Sequence, residues 1–191
     1  MSYTMYWNRP KKNHKQEAWD KFITDCKYLY KHMPKHSESA GNFFADKPLL
    51  LNGDGAYKNP VFNKDKVWFN GTGITKRIKV KDEEGRGYWQ DVIDNVPDNL
   101  KDLGHETFIL KRKYSEGDWT FCKTARKPYD LMVKACLILY KYYFSDVQIS
   151  SDGDEEDWQQ AWEFIACVLP KGPEVVTEMK LSNNLFERLY D

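Results

Sequence analysis

From Leu131 to Phe144 the chain is apolar or aromatic at every position except Lys134 and Lys141. A helix apolar almost all round must lie inside the molecule, covered on several sides by other elements. Pro128 suits the first turn of such a helix, where its missing N–H costs nothing. The pattern predicts a central helix over Tyr129–Phe144. Lys134 and Lys141 share one helical face, and their long stems are expected to carry both charges out to water.

The flanks of this helix set the next constraint. Trp119–Cys122 before it and Val147–Ile149 after it read as strands, which gives a β-α-β unit. If the two strands are parallel neighbours, the crossover is right-handed and the loops after both strands lie on one edge of the sheet. In open α/β sheets that edge binds ligands. One loop is basic, Lys123-Thr124-Ala125-Arg126-Lys127; the other is acidic, Ser150 to Asp154.

Other segments supply the covering layers. Trp19, Phe22, Ile23, Cys26, Leu29, Tyr30 and Met33 recur at helical spacing, with Asn13 and Gln16 placed as a capping box and Pro34 as a stop. Trp158, Ala161, Trp162, Ile165 and Leu169 mark a further amphipathic helix, which Pro170 and Pro173 end. Tyr3–Trp7 and Val67–Phe69 read as strands. Leu49–Leu51 runs into a turn at Asn52–Gly55, and Pro97–Leu103 suits one or two helical turns. Ile74–Val80 and Tyr88–Ile93 read as a hairpin projecting from the body, with lysines on a wet face. His105–Leu110 and Trp119–Cys122 read as a second hairpin. Val175 and Val176 suit an edge strand, and Leu185–Tyr190 a short terminal helix.

Composition bounds the class. With 191 residues, 41% hydrophobic and 30% charged, the chain has an ordinary globular make-up, and it can bury its core without disulfides. Aromatics at 15% predict a core of large rings. The formal net charge is zero, which disfavours bulk nucleic-acid binding and leaves room for a local basic patch. Cys26, Cys122, Cys136 and Cys167 form no CxxC pair, so a zinc site is not expected, and all four are expected to be buried reduced thiols. No run is long and apolar enough for a membrane span and no apolar signal region stands at the N-terminus, which points to the cytoplasm.

The basic loop leads into a helix N-terminus, where unpaired N–H groups and the helix dipole favour an anion. Lys123, Arg126 and Lys127 add charge, Thr124 adds a hydroxyl, and Arg126 can grip phosphate bidentately. Asp152 and Asp154 could read hydroxyls or a base, or hold magnesium. They could equally cap the following helix, and Arg126 and Lys127 could pair with them and pin the fold. His105 precedes a strand expected to end beside Lys123, which makes it the general-base candidate. His14, His32 and His36 read as surface residues.

FCKTARKPYD (Phe121–Asp130) and SSDGD (Ser150–Asp154), with Tyr6–Pro10 and His105–Phe108, resemble small uncharacterised proteins encoded by bacteriophages and bacteria. The resemblance implies a phage context and residence in the host cytoplasm, in the manner of an inhibitor, ligand trap or accessory factor. It carries over no catalytic residue.

The expected fold is one α+β domain over residues 1–191, a small mixed sheet covered by three main helices with the 74–93 hairpin as an excursion. The leading function is binding of a phosphate-bearing small ligand such as a nucleotide, with no cofactor. One rival is a metal-assisted phosphoester hydrolase, with Asp152 and Asp154 on magnesium and His105 as base. The other is a non-catalytic interaction or structural protein with a protein partner or a second copy of itself.

Overall fold

The computed structural model describes residues 3–33, 35–36, 47–48, 60–70, 76–81, 84–85, 87–92, 105–118, 120–127 and 129–181. The expectations for Pro34, Leu49–Leu51, Asn52–Gly55, Pro97–Leu103 and Leu185–Tyr190 fall outside them.

The described residues form one α+β domain. In chain order come β1 (Thr4–Asn8), α1 (Gln16–Lys31), β2 (Lys35–His36), β3 (Lys47–Pro48), β4 (Val61–Phe62), β5 (Lys66–Asn70), β6 (Lys76–Lys81) and β7 (Gly87–Val92). Then follow β8 (Thr107–Lys111), β9 (Phe121–Lys123), α2 (Asp130–Tyr143), β10 (Gln148–Ser151), a 3-10 turn (Glu156–Trp158), α3 (Gln159–Val168) and α4 (Gly172–Leu181).

Helix α2 is the axis of the core, as its composition requires. Met132, Val133 and every residue from Ala135 to Tyr140 are closed off from solvent. Helix α1 packs on it through Phe22, whose ring lies 5.6 Å from Tyr140 and 5.9 Å from Phe144. The predicted faces of α1 and α3 are the buried ones: Trp19, Phe22, Ile23, Cys26 and Leu29 on the first, Ala161, Trp162 and Ile165 on the second.

Two three-stranded sheets, ordered β10-β1-β9 and β4-β5-β8, complete the core, and every strand pair in them is antiparallel. The first turns Met5, Trp7, Cys122 and Ile149 inward and leaves Tyr6, Asn8, Phe121 and Gln148 exposed. The second buries Phe62, Val67, Phe69, Phe108 and Leu110, and the Trp7–Phe108 ring contact at 5.4 Å joins the two.

Strands β9 and β10 run in the same direction but are not neighbours, because β1 lies between them and antiparallel to both. The β-α-β unit is therefore split, and the sheet is not mixed. The geometric consequence survives: codirectional strands place their following loops on one edge.

Several local expectations are corrected. The His105–Cys122 hairpin does not form as a ladder, since β8 pairs with β5 and β9 with β1. Asn13 does not cap α1; its side chain accepts from Tyr114 N at 2.8 Å, and the helix starts at Gln16 after an uncapped Lys15. Val175 and Val176 lie in α4, where Pro173 sits in the first turn and starts the helix instead of ending one. His14 is buried at 4% exposure, while Cys167 is exposed. Lys134 is 6% exposed and does not reach water. Strands β6 and β7 pair with each other and, among the described strands, with no other, as an excursion requires.

Candidate functional site

The edge where the basic and acidic loops follow β9 and β10 is also where β1 begins. Register pairs Thr4 with Lys123 and Met5 with Ser151, so Tyr3 lies between the two loops. Thr124 N and Ala125 N both donate to Tyr3 O, at 2.9 and 3.0 Å. On the other side Asp152 N donates to Thr4 O at 3.1 Å, and Thr4 N donates back to Asp152 Oδ2 at 3.0 Å. The two loops are thus brought together with the first strand as their bridge.

Thr124–Lys127 forms a tight turn closed by Lys127 N donating to Thr124 O at 3.0 Å. Ala125 and Arg126 have φ of 51° and 55°, the left-handed pair of a type I′ turn, usually made by asparagine and glycine. Neither side chain favours that region, so the surroundings must hold it. They do so chiefly through Arg126. Its guanidinium donates to both oxygens of Asp157, from Nη2 at 3.0 and 3.2 Å and from Nε to Oδ1 at 3.3 Å. Its carbon Cζ lies 4.3 Å from the centroid of the Tyr3 ring.

Beneath this strap lies a buried ion pair. Lys134 Nζ is 2.5 Å from Asp130 Oδ2, donates to Asp157 O at 2.6 Å and lies 4.8 Å from the Tyr3 centroid. Thr124, fully buried, donates its hydroxyl to Asp130 Oδ1. Burial pushes the Asp130 carboxyl above its ordinary range, against the pull of Lys134 and Thr124. Tyr3 is 1% exposed, and burial pushes its phenol well above the ordinary value, so it stays protonated. The nearby Ser151 hydroxyl accepts from Gly153 N at 3.2 Å and Trp158 Nε1 at 3.1 Å and donates to Gly153 O at 3.3 Å. Its hydrogen-bonding capacity is spent. The Tyr3 hydroxyl is left without a partner among the described residues.

The remaining expected residues fall as follows. Asp152 Oδ1 accepts from the Tyr6 hydroxyl at 3.1 Å, so both its oxygens are engaged. Asp154 Oδ1 accepts from Glu156 N at 3.0 Å and Asp157 N at 3.3 Å, and so caps the 3-10 turn. Among the described residues no group of three or more His, Cys, Asp or Glu is placed to hold a metal ion. Lys123 is half-buried; its backbone N–H donates to Glu106 Oε2 at 2.7 Å and its carbonyl accepts from Glu106 N at 3.2 Å. His105 directly precedes Glu106 in the chain, with Nδ1 buried and unpartnered among the described residues. Lys127 is half-buried at the end of the turn. Burial pushes the Cys122 thiol up to about 12, which keeps it protonated.

The start of α2 has little left to offer an anion. Asp130 N donates to Lys127 O at 2.8 Å, and Met132 N and Val133 N both reach Tyr129 O. The Asp130 carboxylate already supplies negative charge to that first turn. Around the edge, Asp152, Asp154, Glu155, Glu156 and Asp157 outnumber Lys123, Arg126 and Lys127. The local field is negative on balance, which opposes a phosphate.

Tyr3, Asp130, Lys134 and Asp157 are the members that sequence reasoning missed. Asp130 and Lys134 carried one usable signal, an acid four residues before a lysine in an otherwise apolar helix.

No known protein family, no curated protein and no solved structure matches the chain.

Proposed function

We propose that this protein is a non-catalytic interaction protein whose polar edge cluster locks the fold. The observation that carries this reading is the engagement of Arg126. The side chain best suited to grip phosphate is held bidentately by Asp157 and laid on Tyr3. Asp152 and Asp154, the other groups expected to read a ligand, accept hydrogen bonds that join β1 to β10 and cap a turn. Contact chemistry lies on open faces instead. Tyr6 and Phe121 stand directly opposite each other on the first sheet, each 39% exposed. A phage accessory role in the host cytoplasm, which the motif resemblance implies, is compatible with this reading.

A second reading is kept because one observation favours it. Two consecutive left-handed residues without glycine store strain, and such strain gathers at ligand clamps. Under that reading a phosphate-bearing ligand sits on Lys123 and Lys127 and draws Arg126 away from Asp157. Calorimetric titration with mono-, di- and triphosphate nucleotides, with and without magnesium, separates the two. The interaction reading expects no saturable heat and no phosphate release. Saturable heat that a Lys123→Ala change abolishes without altering the melting temperature would establish the ligand reading instead.

A further inference from the structure

The far end of β1 has the opposite electrostatic character. There three segments distant in sequence are stitched together through their backbones. His14 N donates to Arg112 O at 3.0 Å, and Arg112 N donates to Asp65 O at 2.9 Å. Tyr114 N donates to Asn13 Oδ1 at 2.8 Å. Each segment is basic. The loop after β1 carries Arg9, Lys11, Lys12 and Lys15. The turn before β5 carries Lys64 beside Asp65, and β5 opens on Lys66. The end of β8 carries Lys111, Arg112 and Lys113.

Little of this charge is cancelled. Lys12 pairs with Asp146 at 2.6 Å and Lys111 with Asp118 at 2.5 Å. Lys11, Lys15, Lys64, Lys66 and Lys113 make no ion pair among the described residues, and all but half-buried Lys66 are exposed. Among the described residues the two arginines donate to carbonyls and to no carboxylate. Arg9 reaches Lys111 O, Lys12 O at 2.7 Å and Arg112 O at 3.1 Å. Arg112 reaches Lys64 O at 3.1 Å and His14 O at 3.3 Å. Carbonyls engage both terminal nitrogens of Arg9, whose buried Nε has no partner among the described residues, and leave the positive charge whole.

Two further features lie within this crowding of positive charge. Lys66 stands directly across from Lys111 in the β5–β8 register, a like-charge placement that destabilises a sheet. The His14 imidazole sits at the centre of this pole and is pushed down to about 4, first by burial and then by Arg9, with Lys12 and Arg112 adding to the effect and Asp146 opposing it.

We propose that this basic pole is a docking surface for the phosphodiester backbone of a nucleic acid strand. The inference rests on the interaction reading and names its partner. Protein partners are held by a desolvated apolar centre with aromatic anchors. Here the surface is lysine, arginine and asparagine with Asp65, Asp118 and Asp146 among them, and of the described residues only half-buried Tyr114 adds a ring, Arg9 lying 6.0 Å over it. Nucleic-acid interfaces are more polar and far more positive. A zero net charge is compatible with this, because a run of acids, Asp152 and Asp154–Asp157, lies at the other end of the sheet.

The test is fluorescence anisotropy with short labelled single-stranded and duplex oligonucleotides, from about 50 to 200 mM salt. The variant is the charge reversal Lys11→Glu, Lys64→Glu and Lys113→Glu, three side chains that make no hydrogen bond or ion pair among the described residues. The control is Lys27→Glu with Lys31→Glu, on the far half of α1. Wild type and control bind at low salt. The reversal weakens binding about tenfold or more, and the slope of log affinity against log salt becomes shallower by about 2–3 units, as expected for three lost phosphate contacts. If the reversal variant melts differently, the triple Lys→Gln variant carries the same expectation. No anisotropy change with either oligonucleotide overturns the proposal, as does equal binding by the reversal variant. So does preferential binding to polyglutamate or to phosphatidylserine vesicles, which would point to a protein or a membrane. A saturable mononucleotide site found by calorimetry would count against the interaction reading alone and leave this measurement independent.

Discussion

Arg126 lies over the face of Tyr3, 4.3 Å from guanidinium carbon to ring centroid, and so presses the basic loop onto the start of the first strand. Asp157 holds the other side of the same guanidinium. One side chain thereby ties together the loop after β9, the start of β1 and the turn before α3.

If Arg126 serves to hold a strained turn, backbone and side chain contributions can be separated. Arg126→Ala loses the strap and keeps the left-handed strain, so its melting temperature falls by a few degrees. Arg126→Gly loses the strap but relieves the strain and falls less. Ala125→Gly relieves strain without touching the strap and stabilises by about 0.5–1 kcal/mol. Calorimetric melting checks the ranking; a glycine less stable than alanine at position 126 would contradict it.

Gly153 is confined by the same assembly. A Cβ there would fall 2.1 Å from Asp157 Oδ2 and 2.6 Å from Tyr3 Cε2. Gly153→Ala is expected to cost about 1–3 kcal/mol in urea denaturation, because the Tyr3 ring is fully enclosed and cannot step aside.

The Asp130–Lys134 pair is buried on both sides, so its two members depend on each other. Asp130→Asn or Lys134→Met alone strands a charge and should cost about 3–5 kcal/mol. The double change Asp130→Leu with Lys134→Met removes both charges and should recover a large part of that loss. A double variant as unstable as the sum of the singles would refute the coupling.

His14 gives the fold a pH dependence above the carboxylate range. Its Nε2 lies 2.5 Å from the Tyr140 hydroxyl, and its ring centroid is 3.9 Å from that of Phe144. The folded value near 4 lies below the ordinary 6.5, so the unfolded chain binds the proton more tightly. The contribution is complete above pH 6.5, declines as pH falls toward 4 and is then exhausted, for a total of roughly 3 kcal/mol. Urea midpoints at pH 7 and 5.5 should diverge in the wild type and move together in a His14→Gln variant.

Helices α1, α2 and α3 were legible because their signal is local, whereas α4 was read as an edge strand behind a proline stop. The spacing of Trp19, Phe22, Ile23, Cys26 and Leu29 states both the helix and its buried face, and the apolar run around Leu137 requires a central position. Strand partners were not legible. Phe121–Lys123 alternates equally well against β8 or β1, and only the three-dimensional competition assigns it to β1. The edge cluster was half legible. Codirectional strands were enough to bring the two loops together, but the partner of Arg126 is Asp157 on the 3-10 turn beyond the acidic loop, which no spacing reveals. Lys134 misled for a related reason: helical periodicity aligns it with Lys141, yet Asp130 one turn back and Asp157 from another element hold it inside.

The position of β1 also governs the order in which the chain can fold. It precedes every other described element in the chain, yet its two hydrogen-bonded neighbours are residues 121–123 and 148–151. Until the second of these has been synthesised, Met5 and Trp7 have no complete sheet to enter. Closing contacts across most of the chain is entropically costly and slow. On the ribosome β1 must wait open while the chain as far as β10 is made, and sheet formation then seals it between two of the later strands.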